Sequence, residues 1–223
     1  MSPGTQALVL DFGGVISRTL FETHALTEEA LSLPRGTLTW RGPFDLVSDP
    51  LWRDMQADKL SERDYWMVRT REVGALVGER WDRMETFVQR ARGADPEAAI
   101  RPEALAAIEA ARRAGCRLAI LSNELDLFYG AGFRQRLPFM SAFDVVVDAT
   151  HTGILKPDAR AYQQCLDQLG LPADACVFVD DQLRNIAGAQ RVGLRTVHFD
   201  VMHPGASYAQ ALSMLGVSSS LSF

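Results

Sequence analysis

Short uninterrupted apolar runs alternate along much of the chain with stretches whose apolar residues recur every three or four positions. The first run, Ala7 to Leu10, ends at Asp11, and Phe12, Gly13 and Gly14 follow at once. Four apolar residues in succession suit a strand covered on both faces, as in a parallel sheet. Further runs predict strands over 116–121, within 143–148, over 176–179 and over 195–199. Between them the spacing predicts helices. Pro102 opens one that carries Ala104, Leu105, Ile108 and Ala111 on one face and stops at Gly115; 158–169 stops at Gly170, 184–192 at Gly193, and 206–215 is the last. Strand and helix in regular alternation predict an α/β fold with a doubly wound parallel sheet.

The stretch 18–96 breaks this alternation. It contains no strand-like run, whereas Leu20, Phe21, His24 and Ala25 share one helical face, as do Trp81, Met84, Val88 and Ala91. Ser61-Glu62-Arg63-Asp64 resembles a capping box, and all four tryptophans (Trp40, Trp52, Trp66, Trp81) lie here. The pattern predicts an inserted α-helical domain over 18–96 with its own core, leaving 1–17 and 97–223 as the α/β core. Gly93-Ala94-Asp95-Pro96 marks a linker.

Composition narrows the function classes. The net charge of −5 offers no basic surface for nucleic acid. No apolar run is long enough to cross a membrane, and MSPGTQ lacks the basic and apolar regions of a signal peptide, so a cytoplasmic protein is expected. Cys116, Cys165 and Cys176 have no metal-type spacing, and Cys116 and Cys176, beside strand-like runs, are expected to be small buried hydrophobes. Only Lys59 and Lys156 are lysine; every other basic residue is arginine.

Three predicted strands end in polar residues: Asp11, Ser122-Asn123 and Asp180-Asp181. The loop after the third predicted strand carries Lys156, in Gly153-Ile154-Leu155-Lys156-Pro157-Asp158. A parallel sheet gathers such ends on one rim. Two carboxylates 4 Å apart repel by about 4 kcal/mol at an effective dielectric near 20. Lys156 offsets only one of three, so the set predicts a hard divalent cation, Mg²⁺. Its ligands would be Asp11, Asp180, Asp181 and the backbone oxygen of Gly13, with Ser122, Asn123 and Lys156 on a phosphate. Singly the residues have plainer explanations: a strand-end turn for Ser122-Asn123, a helix N-cap for Asp180-Asp181, a solvated loop lysine for Lys156.

The four motifs LVLDFGGV, LAILSN, GILKPDARAY and VFVDDQLRN, in this order, resemble those of the haloacid dehalogenase-like hydrolase superfamily. The resemblance covers about 6–17 and 97–199. It implies a Rossmann-like core with a helical cap inserted after the first strand. It further implies Asp11 as nucleophile, Ser122 and Lys156 on the transferring group, Asp180 and Asp181 on the metal, and Asn185 orienting the last loop. One position departs: phosphatases of the superfamily usually carry a second aspartate, the general acid, where this chain has Gly13. The implied activity is a Mg²⁺-dependent phosphatase acting on a small phosphorylated metabolite. A 2-haloacid dehalogenase, whose halide leaves without a proton, is the alternative, and a non-catalytic member of the family is a third. Arg18, His24 and Arg41 are the cap candidates for reaching substrate. His151 is expected in a loop near the rim, His198 packed in the last strand, and His203 and Pro204 in loop.

Overall fold

The structure is a computed structural model that describes residues 5–92, 97–123, 125–130 and 132–217. The linker at 93–96 lies outside the described residues. The chain divides into two compact units. One takes the residues up to Arg18, Ile100–Asp126 and everything from Arg134 onward; the other takes Thr19–Ala99 and Leu127–Phe133.

The first unit is built on five parallel strands: β1 (Ala7–Leu10), β2 (Arg117–Ser122), β3 (Val145–Asp148), β4 (Cys176–Asp180) and β5 (Arg195–His198). Their order is β3-β2-β1-β4-β5, with Ala7 paired to Arg117 on one side and Cys176 on the other. β1 is therefore central, which explains why all four of its residues are buried and apolar. Helices Pro102–Arg113, Ala159–Leu169, Leu183–Arg191 and Pro204–Met214 complete the α/β alternation. Tyr162, Leu166 and Ile186 pack with Val9, Leu121, Val147 and Phe178 in one core cluster.

Several expectations are corrected. Pro204 is not in loop: it opens the last helix, where its fixed φ suits the first turn and its missing N–H costs nothing. His198 is exposed, not packed, because β5 is an edge strand. Cys176 is buried, but Cys116 is only half-buried, since β2 begins one residue later. His151 lies in a helical turn, Ala149–Thr152, begun by the Asp148 carboxylate accepting from the Thr150 N–H. Residues 127–133, which the sequence leaves in the core, group with the other unit; there Phe128 meets the Trp66 ring edge-on at 5.4 Å. The excursion is too short for a helical period to reveal it. Its two ends are tied by the Arg134 guanidinium, which donates to Asp126 at one end and to Asp148.

The second unit is helical: His24–Ala30, Pro50–Gln56, Glu62–Leu76 and Met84–Arg92. The capping box at Ser61 and Asp64 is formed in both directions. Phe21, Trp40, Trp52, Tyr65 and Trp66 make its aromatic core, with ring centroids 5.0–6.3 Å apart. Asp49, fully buried, accepts from the N–H groups of Gly42 and Trp52, the Tyr65 hydroxyl and Arg69, so its charge is fully hydrogen-bonded. Among the described residues no helix is long and apolar enough to cross a membrane.

Candidate functional site

The site begins where β1 stops. The Asp11 N–H still donates to Val179 of β4, at 2.9 Å, and the chain then leaves the sheet in one turn, Phe12–Ile16, closed by the Ser17 N–H donating to Phe12 O. Gly13 (φ −70°, ψ 125°) and Gly14 (φ 80°, ψ −28°) take the two central positions of a type II turn. The second of these positions requires glycine; the first does not. A Cβ on Gly13 would meet nothing within 4 Å.

Lys156 reaches this turn from the loop after β3. Its ammonium donates to Asp11 Oδ1 at 2.8 Å and to Asp180 Oδ2 at 2.7 Å, with its side chain almost wholly buried. Burial opposes the charge, and the two carboxylates more than offset it, so the ammonium is held well above its ordinary range. Asn123 fixes the loop that carries it. Its Oδ1 accepts the Lys156 N–H at 2.7 Å and its Nδ2 donates to Lys156 O at 3.1 Å. The amide that the sequence assigns to substrate is thus engaged by Lys156 at both ends. Ser122, buried, ends β2 beside it.

Asp180 is the anchor of the opposite side. Oδ1 accepts from the Gln182 N–H at 2.8 Å and from Asn185 Nδ2, and Oδ2 from Lys156 and Asn185 Nδ2. Asn185 is held in turn by its own backbone, since Tyr162 donates to Asn185 O at 2.7 Å. The buried Asn185 Oδ1 has no hydrogen-bond partner. One carboxylate oxygen from each of Asp11, Asp180 and Asp181 lies within 4.8 Å of the others. Three carboxylates face one ammonium, all donors are hard oxygens, and a buried acceptor remains unused. This donor set fits a hard divalent cation with bound water.

A second cluster, Asp126, Asp148 and His151, is as tight, but its chemistry differs. Arg134 donates to both carboxylates, and Asp148 also accepts the N–H groups of Leu125, Asp126 and Thr150. His151, exposed, lies with Nε2 2.7 Å from Asp126. A guanidinium already bonds both carboxylates of this cluster, which holds the chain ends of the 127–133 excursion. Of the other candidates, His24 is buried against the Trp40 ring (4.3 Å), Arg41 is exposed and Arg18 half-buried. His198 places Nε2 3.1 Å from Asp181 O. His203 bonds Asp200 through Nδ1 at 2.8 Å.

Two residues that the sequence does not single out also touch the turn after Asp11. Arg101 Nε donates to Gly14 O at 3.1 Å, and the Tyr208 hydroxyl to Val15 O at 3.0 Å. Neither ends one of the predicted strands or lies in one of the four motifs, so the motif reading does not mark them.

Comparison with known proteins bears on the family and the fold. The model of the haloacid dehalogenase-like hydrolases matches residues 5–193. Phosphatase MT3486 of Mycobacterium tuberculosis is 34% identical over 99 residues, 44% of this chain and 46% of that protein. Acyl-CoA dehydrogenase family member 10 of Mus musculus is 35% identical over 111 residues, 49% of this chain but only 10% of that much longer protein. (S)-2-haloacid dehalogenase 4A of Burkholderia cepacia is 28% identical over 162 residues, 67% of this chain and 68% of that one. Among solved structures, HAD-hydrolase YfnB from Bacillus subtilis, bound to magnesium, superimposes with a TM-score of 0.63 at 18% identity, covering 87% of this chain and 86% of that one. At that identity the likeness speaks for the fold.

Proposed function

We propose, for a chain that belongs to the haloacid dehalogenase-like hydrolase family, a Mg²⁺-dependent phosphatase that cleaves a small phosphate monoester through Asp11. The observation that carries this reading is the Lys156 ammonium held between Asp11 and Asp180 with the Asp181 carboxylate close by. The Asp11 carboxylate attacks phosphorus, the P–O bond to the leaving alcohol breaks, and an acyl phosphate forms on Asp11. Water then hydrolyses it, releasing phosphate and restoring the carboxylate. The ammonium offsets the Asp11 charge and, with the Ser122 hydroxyl, binds the phosphoryl oxygens. Asn123 sets the height of Lys156 above the sheet. Asp11, Asp181 and the Gly13 backbone oxygen, beside Asp180, would hold Mg²⁺, which supplies charge neutralisation for an approaching phosphate dianion. Asp180, with two donors on each oxygen, chiefly anchors Lys156 and Asn185. The helical unit acts as the cap that selects the substrate.

A second reading, 2-haloacid dehalogenase, draws on the dehalogenase relatives and on Gly13, since halide leaves without a general acid. The adjacent Asp180 and Asp181 disfavour it, because such a cluster without a cation is electrostatically costly. The test is p-nitrophenyl phosphate turnover with Mg²⁺ and with excess chelator, run beside halide release from 2-chloropropionate. Phosphate release that needs Mg²⁺ and vanishes in Asp11→Asn supports the phosphatase. Halide release that persists in chelator supports the dehalogenase.

A further inference from the structure

We propose that Arg101 and Tyr208 are positioning residues for Asp11: together they brace the turn that follows it, and so hold the nucleophile and the Gly13 carbonyl in register. The inference rests on the reading of Asp11 as nucleophile and names residues that neither the motifs nor the family match assigns.

After Asp11 the chain leaves strand β1 for the turn Phe12–Ile16. Three successive carbonyls of this turn are all taken by elements distant in sequence. Gly14 O accepts from Arg101 Nε, Val15 O from the Tyr208 hydroxyl, and Ile16 O from the Arg101 N–H at 3.0 Å. Ser17 then pairs with Ile100 in an isolated antiparallel bridge. Arg101 is 3% exposed and Tyr208 wholly buried, so no water stands ready to replace them. A buried carbonyl that loses its donor is strongly disfavoured. The turn therefore cannot rotate its peptides without breaking three such bonds together.

The donors are themselves held. The Arg101 guanidinium lies 5.6 Å from the centroid of the Phe199 ring, and Phe199 meets Tyr208 edge-on at 5.2 Å. Arg101 precedes the helix Pro102–Arg113, and Tyr208 sits on the helix Pro204–Met214. The left-handed Gly14 places its carbonyl on the side that meets Arg101. Burial raises the Tyr208 hydroxyl's pKa, Arg101 opposes, and Glu103 and Asp11 add to the rise; Tyr208 is thus a neutral donor in range of the nucleophile's charge. A nucleophile misplaced by about 1 Å loses about a hundredfold in rate, so bracing of this kind has a kinetic reward.

The test uses Tyr208→Phe, which removes one hydroxyl and keeps the ring, with Arg101→Met and Arg101→Lys. Steady-state p-nitrophenyl phosphate and 2-chloropropionate turnover are measured with amide hydrogen exchange over 11–17. Expected are a kcat about 3- to 10-fold lower in Tyr208→Phe with KM within twofold, a larger fall in Arg101→Met and partial recovery in Arg101→Lys. Exchange of the Ser17 amide should quicken at least tenfold in Tyr208→Phe. Wild-type kcat and Ser17 exchange, with only the melting temperature lowered, would overturn the brace. If the wild type turns over neither substrate, it is the nucleophile reading that fails. Ser17 exchange then decides the brace alone: quickened supports it, unchanged overturns it.

Discussion

Gly13 and Gly14 are neighbours with opposite requirements. Gly14, at φ 80°, occupies backbone space that costs other residues roughly 1–2 kcal/mol. Gly13, at φ −70°, has open space around an added Cβ and an ordinary backbone for an L residue. Gly13→Asp should therefore melt within about 2 °C of wild type, whereas Gly14→Ala should lose stability by roughly the strain figure. Under the phosphatase reading, an added carboxyl supplies the absent general acid, a role worth about 10²- to 10⁴-fold. The expected outcome is a gain of about tenfold or more in kcat/KM for alkyl phosphates, with aryl phosphates little changed; equal effects on both would count against it. His24 gives a residue-scale prediction of another kind. Burial first, then Arg41, lowers its pKa from 6.5 to about 4. Between those values the unfolded chain binds more protons than the folded one. Stability is thus complete above pH 6.5 and declines as pH falls toward 4, by about 2–3 kcal/mol. Urea melts at pH 7 and pH 5 should show the loss, and His24→Leu should reduce it.

At the level of elements, the loop between β3 and the helix Ala159–Leu169 carries Lys156, and Asp148 governs how it starts. Its carboxylate accepts from three backbone N–H groups and lies 3.4 Å from the Arg134 guanidinium. Asp148→Asn replaces an acceptor-only group with one that presents two donors to those N–H groups. A loss of about 2–4 kcal/mol in chemical denaturation is expected; a loss under 0.5 kcal/mol would show that the carboxylate does not hold the turn. The same elements show what a sequence can and cannot disclose. Asp11 and Asp180 are legible because each ends an apolar run, and Lys156 because lysine is so rare here. The role of Asn123 as a grip on Lys156 is not, since it depends on the height of a loop 33 residues away. Arg101 and Tyr208 meet their carbonyls across 87 and 193 residues, outside the predicted strand ends and the four motifs. The excursion at 127–133 is hidden because five to seven residues cannot display a helical period.

For the whole molecule, the two units divide the reporters from the charges. All four tryptophans belong to the helical unit, and Asp11, Asp180 and Asp181 to the sheet unit. A ligand that binds only the folded site stabilises it by RT ln(1 + [L]/Kd), about 2.7 kcal/mol at a hundredfold excess over Kd. Under the phosphatase reading, Mg²⁺ should therefore raise the melting of the sheet unit, followed by hydrogen exchange of the β1 and β4 amides, by several degrees. Where the units melt separately, the tryptophan-detected transition should move less. Coincident transitions with equal shifts would instead show that the units unfold as one. The central place of β1 has a further consequence, for the chain during its synthesis. The strand made first is the one that both neighbours must flank, and its nearest partner begins at Arg117. At 5–20 residues per second, the nascent Ala7–Leu10 segment waits roughly ten seconds for an edge to pair with. Meanwhile most of the helical unit, Thr19–Ala99, has already emerged. A four-residue apolar segment left open so long is a hazard that its shortness limits, and the ribosome-bound chain is where this protein is most exposed to wrong partners.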